Sequence, residues 1–393
     1  MQTRPNNFPR PRAPGFAVAA LIALAALAGC VAKPPPPHLD LTPVTFAALP
    51  GWNDGDPSGA LPALLQSCNA LAQLPTDAKL GIAGRPADWR QPCAAAAALH
   101  QPDAATARRF FESEFAPFAV SDNGRAAALV TGYYEPELDG ARRVHGSFIV
   151  PILARPPDLV GVDLGDFRPT WRGQRIAGRV VDGRLVPYWT RAQIEAGALD
   201  RDRLALAYIA DPIELFFLQI QGSGRVHLPD GRWLELGYDG QNGRPYVPIG
   251  RLLVAHGAMP LDQVSMQSIK AWLRAHPDDA KKLMDENPSY VFFRVLPGDA
   301  PVGAEGVALT PDHSLAIDPR FIPFGVPLWL DVAQGDTVTR RLAVAQDTGG
   351  AITGPLRADL FWGAGAAAAE RAGPMRATGR FFLLLPKLAP SKG

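Results

Sequence analysis

The stretch RLAVAQDTGGAI, residues 341–352, decides the fold because it joins an apolar strand pattern to a Gly-Gly turn. Similar short strand patterns, separated by turns, surround it at Tyr290 to Val295, Leu328 to Val332 and Arg380 to Leu385. A short Ala-rich helix is predicted among them, from Gly365 to Arg371. Several short strands in one region are typical of a small β-barrel. The sequence therefore predicts a mainly β fold with some α.

Composition excludes several classes of protein. The 393 residues are 47% apolar and 20% charged, as in a globular protein and not a disordered one. The net charge is +1 and no basic stripe stands out, so we expect no nucleic-acid partner. With 40 prolines and 38 glycines, turns are dense and a helix bundle is disfavoured. There is no CxxC pair and no HExxH triplet, so we expect neither a metal nor a cofactor.

The N-terminus has the pattern of a secretory signal in residues 1–29. A basic segment precedes an apolar run, Phe16 to Ala28, that is too short to span a bilayer of about 30 Å. Gly29-Cys30 ends the run and resembles the lipobox of bacterial lipoproteins, which implies a lipid anchor on Cys30. The alternative is an ordinary secreted protein with a stray cysteine. Because Val31 and not Asp follows the anchor, we expect the periplasmic face of the outer membrane, with residues 30–50 as anchor and Pro-rich linker.

Two further cysteines, Cys68 and Cys93, lie in a region of helical patterns that covers residues 58–116. In an oxidising compartment they could pair as a disulfide, and the alternative is two buried thiols. Further along, Asp-Gly pairs in residues 181–184 and 229–232 predict hairpins with type I′ turns. Capping patterns and prolines predict three helices, which are Asp211 to Leu218, Asp262 to His276 and Asp278 to Glu286.

The motif TGYYEP, residues 131–136, is the first candidate binding segment. Adjacent tyrosines on a strand point to opposite faces, so we expect one of Tyr133 and Tyr134 to pack and the other to face a groove. A tyrosine ring in a groove can stack on a sugar. The alternative is a tyrosine with its hydroxyl satisfied at the edge of the core.

The motif QIQGSG, residues 219–224, is the second candidate. In an extended segment, Gln219 and Gln221 share one face and precede a turn that contains Ser223. Their amides suit sugar hydroxyls and N-acetyl groups, although a plain polar strand edge is the alternative. A Gly-rich loop at residues 237–246 adds two aromatic candidates, Tyr238 and Tyr246.

Two aspartates form the third candidate. Asp347 ends an apolar strand before Gly349 and Gly350, and Asp359 follows 12 positions later, before Leu-Phe-Trp. Poor solvation beside these apolar side chains would raise the pKa of the Asp359 carboxyl, and a nearby Asp347 would act in the same direction. A carboxylic acid that is still protonated near neutral pH is what a glycosidic general acid requires. The alternative is one aspartate capping a turn and the other capping a helix.

Six motifs in order across roughly residues 110–386 resemble the membrane-bound lytic murein transglycosylase A family: TGYYEP, QIQGSG, DGQNGRPY, NPSYVFF, AIDPRFIPFG, and DTGGAITG followed by ADLF. The resemblance implies a double-psi β-barrel with an inserted second β-domain and a groove between them. The implied limits are residues 51–136 and 294–386 for the barrel, with its N-terminal helices, and 137–293 for the insert.

The resemblance also implies an activity: non-hydrolytic cleavage of the MurNAc-β-1,4-GlcNAc bond of peptidoglycan to 1,6-anhydroMurNAc ends. Asp359 takes the place of the family's catalytic aspartate and Asp347 that of its neighbour. The candidates to hold the glycan are Thr131, Tyr133, Tyr134, Gln219, Gln221, Ser223, Tyr238, Tyr246, Gly349 and Gly350, with Tyr188 and Trp189 as further stacking platforms.

Two other functions remain open at this stage. A muramidase that uses both aspartates would make new reducing ends, and a peptidoglycan-binding lipoprotein would release nothing. For the transglycosylase we expect a monomer that binds the glycan strand and is attached to the membrane by the lipid on Cys30. Cell-wall synthesis complexes are further expected partners.

Overall fold

The computed structural model of the chain describes residues 35–298 and 300–387, so the predicted signal peptide and Cys30 lie outside the described residues. The strands are β1 Leu39–Pro43, β2 Phe115–Asp122, β3 Ala128–Glu135, β4 Glu137–Ala141, β5 Val150–Leu153, β6 Val160–Asp163, β7 Arg175–Val181, β8 Arg184–Pro187, β9 Ala205–Ile209, β10 Gly224–His227, β11 Trp233–Gln241, β12 Val291–Val295, β13 Ser314–Ala316, β14 Pro327–Gln334, β15 Thr337–Asp347, β16 Arg357–Ala364 and β17 Arg376–Pro386. The α-helices are α1 Leu61–Leu71, α2 Arg90–Ala97, α3 Ala104–Glu114, α4 Arg191–Gln193, α5 Arg201–Leu204, α6 Pro212–Gln221, α7 Ile249–Ala255, α8 Met266–Ala275, α9 Pro277–Asp285 and α10 Gly365–Ala372. None of these helices combines the length and apolar character that a bilayer crossing requires.

The largest sheet closes on itself and is built from both ends of the described chain. Its order is β1-β2-β17-β14-β15-β13-β16-β3, and β3 also pairs with β17. Apolar side chains that alternate along these strands, such as Val130, Leu330, Val344, Leu360 and Leu383, are fully buried inside it. Alternation of this kind places every second side chain of β3 and β16 outside the core. Those outward positions carry the candidate site.

The residues between β3 and β13 form two other sheets. A six-stranded sheet has the order β12-β11-β10-β4-β9-β5, and a three-stranded sheet has the order β6-β7-β8. Helices α6 to α9 add an apolar layer of their own, in which Phe217, Leu253, Leu273 and Leu283 are buried. The insert therefore contains more helix than the predicted β-domain. The domain limits given above stay predictions.

One predicted hairpin turn is right and the other is wrong. Asp182 and Gly183 both have positive φ angles, 50° and 73°, as a type I′ turn between β7 and β8 requires. In the second hairpin only Gly231 has a positive φ, 81°, so its turn is not type I′. The Leu228 amide bonds the Arg232 carbonyl and closes a longer loop.

Two predicted segments belong to other parts of the fold. Strand β12, grouped with the barrel strands from the sequence, pairs with β11 of the six-stranded sheet. Residues 39–50 are not a free linker, because β1 pairs with β2 and Leu49 is buried in the barrel's core. The prolines of this segment made a strand difficult to predict. Pro43 is compatible with β1 because it is the last residue of the strand, where its missing amide removes no hydrogen bond of the sheet.

The chain crosses between the two large sheets beside a pair of buried glutamates. Glu135 ends β3, and Glu235 lies on β11, where its carbonyl accepts the Leu296 amide of the returning chain. The two side chains are only 1% and 4% exposed. Burial, a hydrogen bond to Glu235 and the charge of Glu235 raise the pKa of Glu135 to about 10. At neutral pH Glu135 therefore keeps its proton in the folded protein.

Cys68 of α1 and Cys93 of α2 form a disulfide, with 25 positions between them. The bond ties the first two of the three α-helices that lie before β2 in the chain, and Leu64 of α1 is fully buried in the barrel's core. Of the two alternatives, the structure contains the disulfide.

Candidate active site

Strand register brings the candidate acid and its hydroxyl donor together. Strands β3 and β16 are parallel neighbours, and Asp359 lies opposite Thr131. Since side chains two positions apart share a face, Arg357 and Phe361 lie on the same face as Asp359. Asp359 thus lies in the middle of a strand. The alternative interpretation, in which it caps a helix, is wrong.

A short chain of hydrogen bonds ends on Asp359. The hydroxyl of Thr131 donates to Oδ1 of Asp359 over 2.6 Å. Nη2 of Arg357 donates to that same Thr131 hydroxyl oxygen over 2.8 Å. Arg357 also donates to the Ala358 carbonyl, which holds its guanidinium group against the strand.

The surroundings of Asp359 favour its neutral form near the lower end of the physiological pH range. Burial is the largest effect and raises the pKa of Asp359 to about 6, with help from the charge of Asp347. The Arg357 charge and the Thr131 hydrogen bond oppose the rise. The result is an acid that is protonated in a substantial fraction of molecules at mildly acidic pH.

Asp347 has a different environment at the end of β15. Its Oδ2 accepts the Tyr133 hydroxyl and its Oδ1 accepts the Ala304 amide, each over 2.9 Å. Burial raises its pKa, while these donors and the Thr348 amide oppose the rise by favouring the ionised form. With both oxygens engaged, Asp347 has less freedom than Asp359 to exchange a proton with a ligand.

The two tyrosines are both buried, so the prediction that one of them faces a groove is wrong. Tyr133 is 6% exposed, with its ring 5.2 Å from that of Phe361, and Tyr134 is 5% exposed. Tyr134 packs against α10, which covers the other face of the strand. Gly132 permits this cover, because a Cβ there would lie 2.5 Å from the indole nitrogen of Trp362 and 2.8 Å from Cα of Ala372.

The glutamine motif is also different from the prediction. Helix α6 continues through Gln221 and ends at Gly222, whose φ of 81° provides a left-handed cap, so the two glutamines are not on one strand face. Gln219 is buried and its amide nitrogen lies 3.4 Å from the Val291 carbonyl oxygen within the insert. Gln221 accepts the backbone amide of Tyr134 over 3.1 Å, which ties the insert to β3. Ser223 is buried.

The other aromatic candidates lie in the insert. Tyr188 is fully buried and donates to Asp158, so it is not a stacking platform. Trp189 is partly buried, with the Arg179 guanidinium 4.0 Å from its ring centroid. Tyr246 is partly buried, while Tyr238 is 50% exposed.

Two hydrogen-bond donors of the site, the Arg357 side chain and the Ala304 amide, were not predicted from the sequence. Arg357 stood in the quoted sequence, and its position two residues before Asp359 on a strand was the signal that both share a face. The Ala304 amide had no signal, because its position depends on the fold of a loop. In the part of the chain that the structure describes, no group of three or more His, Cys, Asp or Glu could hold a metal ion.

Two family models and a curated relative match this chain. Residues 129–294 match the MltA specific insert domain, and residues 313–385 match the 3D domain. The membrane-bound lytic murein transglycosylase A of Escherichia coli K12 is 35% identical over 273 residues, which are 67% of this chain and 66% of that protein. The matched segment thus spans just under two thirds of that relative.

Solved structures extend the match over most of the chain. A membrane-bound lytic murein transglycosylase from Agrobacterium tumefaciens is 32% identical with a TM-score of 0.78, covering 88% of this chain and 98% of its own. E. coli MltA with bound chitohexaose is 25% identical with a TM-score of 0.63, covering 92% of this chain and 94% of its own. The predicted fold class is confirmed.

The closed barrel and the sheets inserted into it together define a two-part protein with a 3D domain and an MltA-specific insert. The chain belongs to the membrane-bound lytic murein transglycosylase A family.

Proposed function

We propose that this protein is a lytic transglycosylase that cleaves the MurNAc-β-1,4-GlcNAc bond of peptidoglycan with Asp359 as its single acid and base. Family membership supports the activity as a lytic murein transglycosylase. The E. coli relative holds chitohexaose, an oligosaccharide, which supports a glycan strand as the ligand of this chain.

The observation that carries the mechanism is the unequal state of the two aspartates. Burial raises the pKa of Asp359 to about 6, and only its Oδ1 has a hydrogen-bond donor in the described structure. Asp347 has donors on both oxygens. A hydrolase that used both would need a second carboxylate free to act as nucleophile or to activate water. We therefore assign Asp347 a supporting role and neither of these two roles.

The reaction then needs one proton and no water. Protonated Asp359 gives its proton to the bridging oxygen as the C1–O bond breaks and an oxocarbenium-like centre forms. The C6 hydroxyl oxygen of the same sugar attacks C1, and Asp359 takes the hydroxyl proton. The acid is thereby restored and the products are a 1,6-anhydro end and a free 4-hydroxyl. Because the nucleophile belongs to the substrate, its effective concentration is high.

The test is mass analysis of purified murein digested by the full chain. The wild type should yield anhydro ends. Asp359→Ala should lower their rate by at least about 10²-fold while the circular dichroism spectrum is unchanged. Asp77→Ala, at an exposed loop position, is the matched control and should retain the wild-type rate. New reducing ends would show a muramidase, and binding to murein without release would show a carbohydrate-binding lipoprotein.

The glycan contacts follow from the same placement. Thr131, Gly349 and Gly350 lie at or beside the two aspartates, and we assign them to the sugar around the cleaved bond. Of the aromatic candidates predicted from the sequence, Tyr238 is the exposed one. We assign it to a sugar ring farther from the cleaved bond. Tyr238→Ala should raise KM for murein more than it lowers kcat.

Membrane association is expected for this family, and the finer location rests on the lipobox. A lipid on Cys30 would hold the enzyme on the periplasmic face of the outer membrane. Cys30→Ala in cells should move the protein from the membrane fraction to the soluble periplasmic fraction. Retention in the membrane fraction would contradict the anchor.

A further inference from the structure

The residue that the proposed chemistry leaves without a role is Arg357. It lies on the same strand face as Asp359, two positions before it, and its Nη2 donates to the Thr131 hydroxyl over 2.8 Å. Its Nη1 donates to the carbonyl of Ala358. Nη1 also lies 3.5 Å from the Leu129 carbonyl oxygen, so the guanidinium group is fixed by one acceptor on its own strand and two on β3.

These contacts determine where the protons are. A threonine hydroxyl has one hydrogen to give. Because Arg357 donates to the Thr131 oxygen, that oxygen acts as an acceptor on one side and gives its hydrogen on the other, to Oδ1 of Asp359 over 2.6 Å. In the neutral acid, an oxygen that accepts a hydrogen bond is favoured as the carbonyl oxygen. The acidic hydrogen is then on Oδ2.

We propose that Arg357 is a positioning residue that directs the Thr131 hydroxyl onto Oδ1 of Asp359 and so makes Oδ2 the oxygen that gives and retakes the proton. The inference rests on the proposed function, because it assigns a partner to the same acid. Arg357 acts through Thr131 and needs no contact with the sugar.

The charges around Asp359 make the inference measurable. Arg357 from its own strand lowers the pKa of Asp359, and Asp347 from β15 raises it. Tyr133 of β3 is also close to Asp359, because the charge of Asp359 contributes to the raised pKa of Tyr133. Of these groups Arg357 is the cation, so its removal has a defined direction: the pKa of Asp359 rises and the enzyme stays protonated to higher pH.

The experiment is the pH profile of kcat/KM for anhydro-end formation by Arg357→Met and Arg357→Lys in the full chain. For Arg357→Met we expect the alkaline limb to move up by about one pH unit, as expected when one nearby charge is lost, with kcat lowered about tenfold. Arg357→Lys keeps the charge and should keep the limb near its wild-type position. Arg380→Met is the matched control, because Arg380 pairs with Asp331 at the barrel surface and should leave the profile unchanged.

A double-mutant cycle tests the route through the hydroxyl. Thr131→Val alone and Arg357→Met alone should each lower kcat, and the double variant should be little slower than the worse single variant, since both break one chain of hydrogen bonds. Independent, multiplying losses would overturn the inference. So would an Arg357→Met enzyme with a higher KM and an unmoved limb, which would show a substrate contact. An active Asp359→Ala enzyme would instead overturn the proposed function itself.

Discussion

Tyr133 donates its hydroxyl hydrogen to Oδ2 of Asp347 over 2.9 Å, although 214 positions separate the two residues in the chain. The ring of Tyr133 also packs on Phe361, two positions after the acid on β16. Tyr133 thus links the two aspartates: its ring contacts the strand that carries Asp359, and its hydroxyl bonds the carboxylate of Asp347.

We expect Asp347→Asn to move the alkaline limb of the activity profile to lower pH. The negative charge of Asp347 raises the pKa of Asp359, so its removal lets Asp359 ionise earlier. The rate at neutral pH should fall about tenfold and not vanish, because the acid is still present. Rates from pH 4 to 9 check this, with Tyr133→Phe as the control that keeps the charge and should leave the limb close to wild type. Complete loss of activity in a folded Asp347→Asn protein would favour the two-carboxylate hydrolase.

For the wild type we expect activity to decline above a pH of about 6. Burial raises the pKa of Asp359 to about 6, and only the protonated acid can give a proton to the leaving oxygen. Each further pH unit should lower kcat/KM about tenfold until another group becomes limiting. The measurement is the initial rate of anhydro-end formation on soluble glycan strands. A flat profile between pH 6 and 8 would contradict the role of Asp359.

Stability should decrease with rising pH because of Glu135 and Glu235. The pKa of Glu135 is raised from 4.5 to about 10, so the folded state keeps a proton that the unfolded state loses. The free energy of unfolding should then fall by up to about 1.4 kcal/mol per pH unit within that window. Glu135→Gln has no proton to lose at this position and should flatten the slope between pH 6 and 9 in urea titrations. Glu286→Gln, at an exposed position, should keep the wild-type slope.

Removal of the disulfide should lower stability without removing activity. The bond closes a segment of 25 positions, for which loop entropy predicts about 3 kcal/mol. The Cys68→Ala/Cys93→Ala variant should unfold at lower urea and lower temperature and cleave murein at a normal rate at 25 °C. The reduced wild type should match it. An unchanged midpoint would mean that packing of α1 alone holds these helices in place.

The sequence predicted the residues of the acid site better than their surroundings. The Asp359 environment followed from its apolar neighbours, and the shared face of residues 357, 359 and 361 follows from strand periodicity. The pairing of β3 with β16 could not be read locally, because it joins segments more than 200 positions apart. The resemblance to a family implied a barrel built from distant segments and gave no pairing for these two strands.

The errors have local physical causes. Gln219 and Gln221 were placed on a strand because the helix was ended at Leu218, whereas the apolar run continues to Gly222, the residue that can adopt the left-handed cap. The sequence predicts that one of Tyr133 and Tyr134 faces a groove, because it does not reveal that α10 packs over Gly132. The first error concerns where a helix ends, and the second concerns what covers a strand.

Thr131 and Asp359 lie 228 positions apart, yet they form one hydrogen bond on neighbouring strands. A nascent chain halted between β3 and β16 contains the Thr131 hydroxyl and both tyrosines but not Asp359. Proteins rich in such distant pairings fold slowly. The site at Asp359 therefore forms only after most of the chain has been made, and fragments that end before β16 lack its acid.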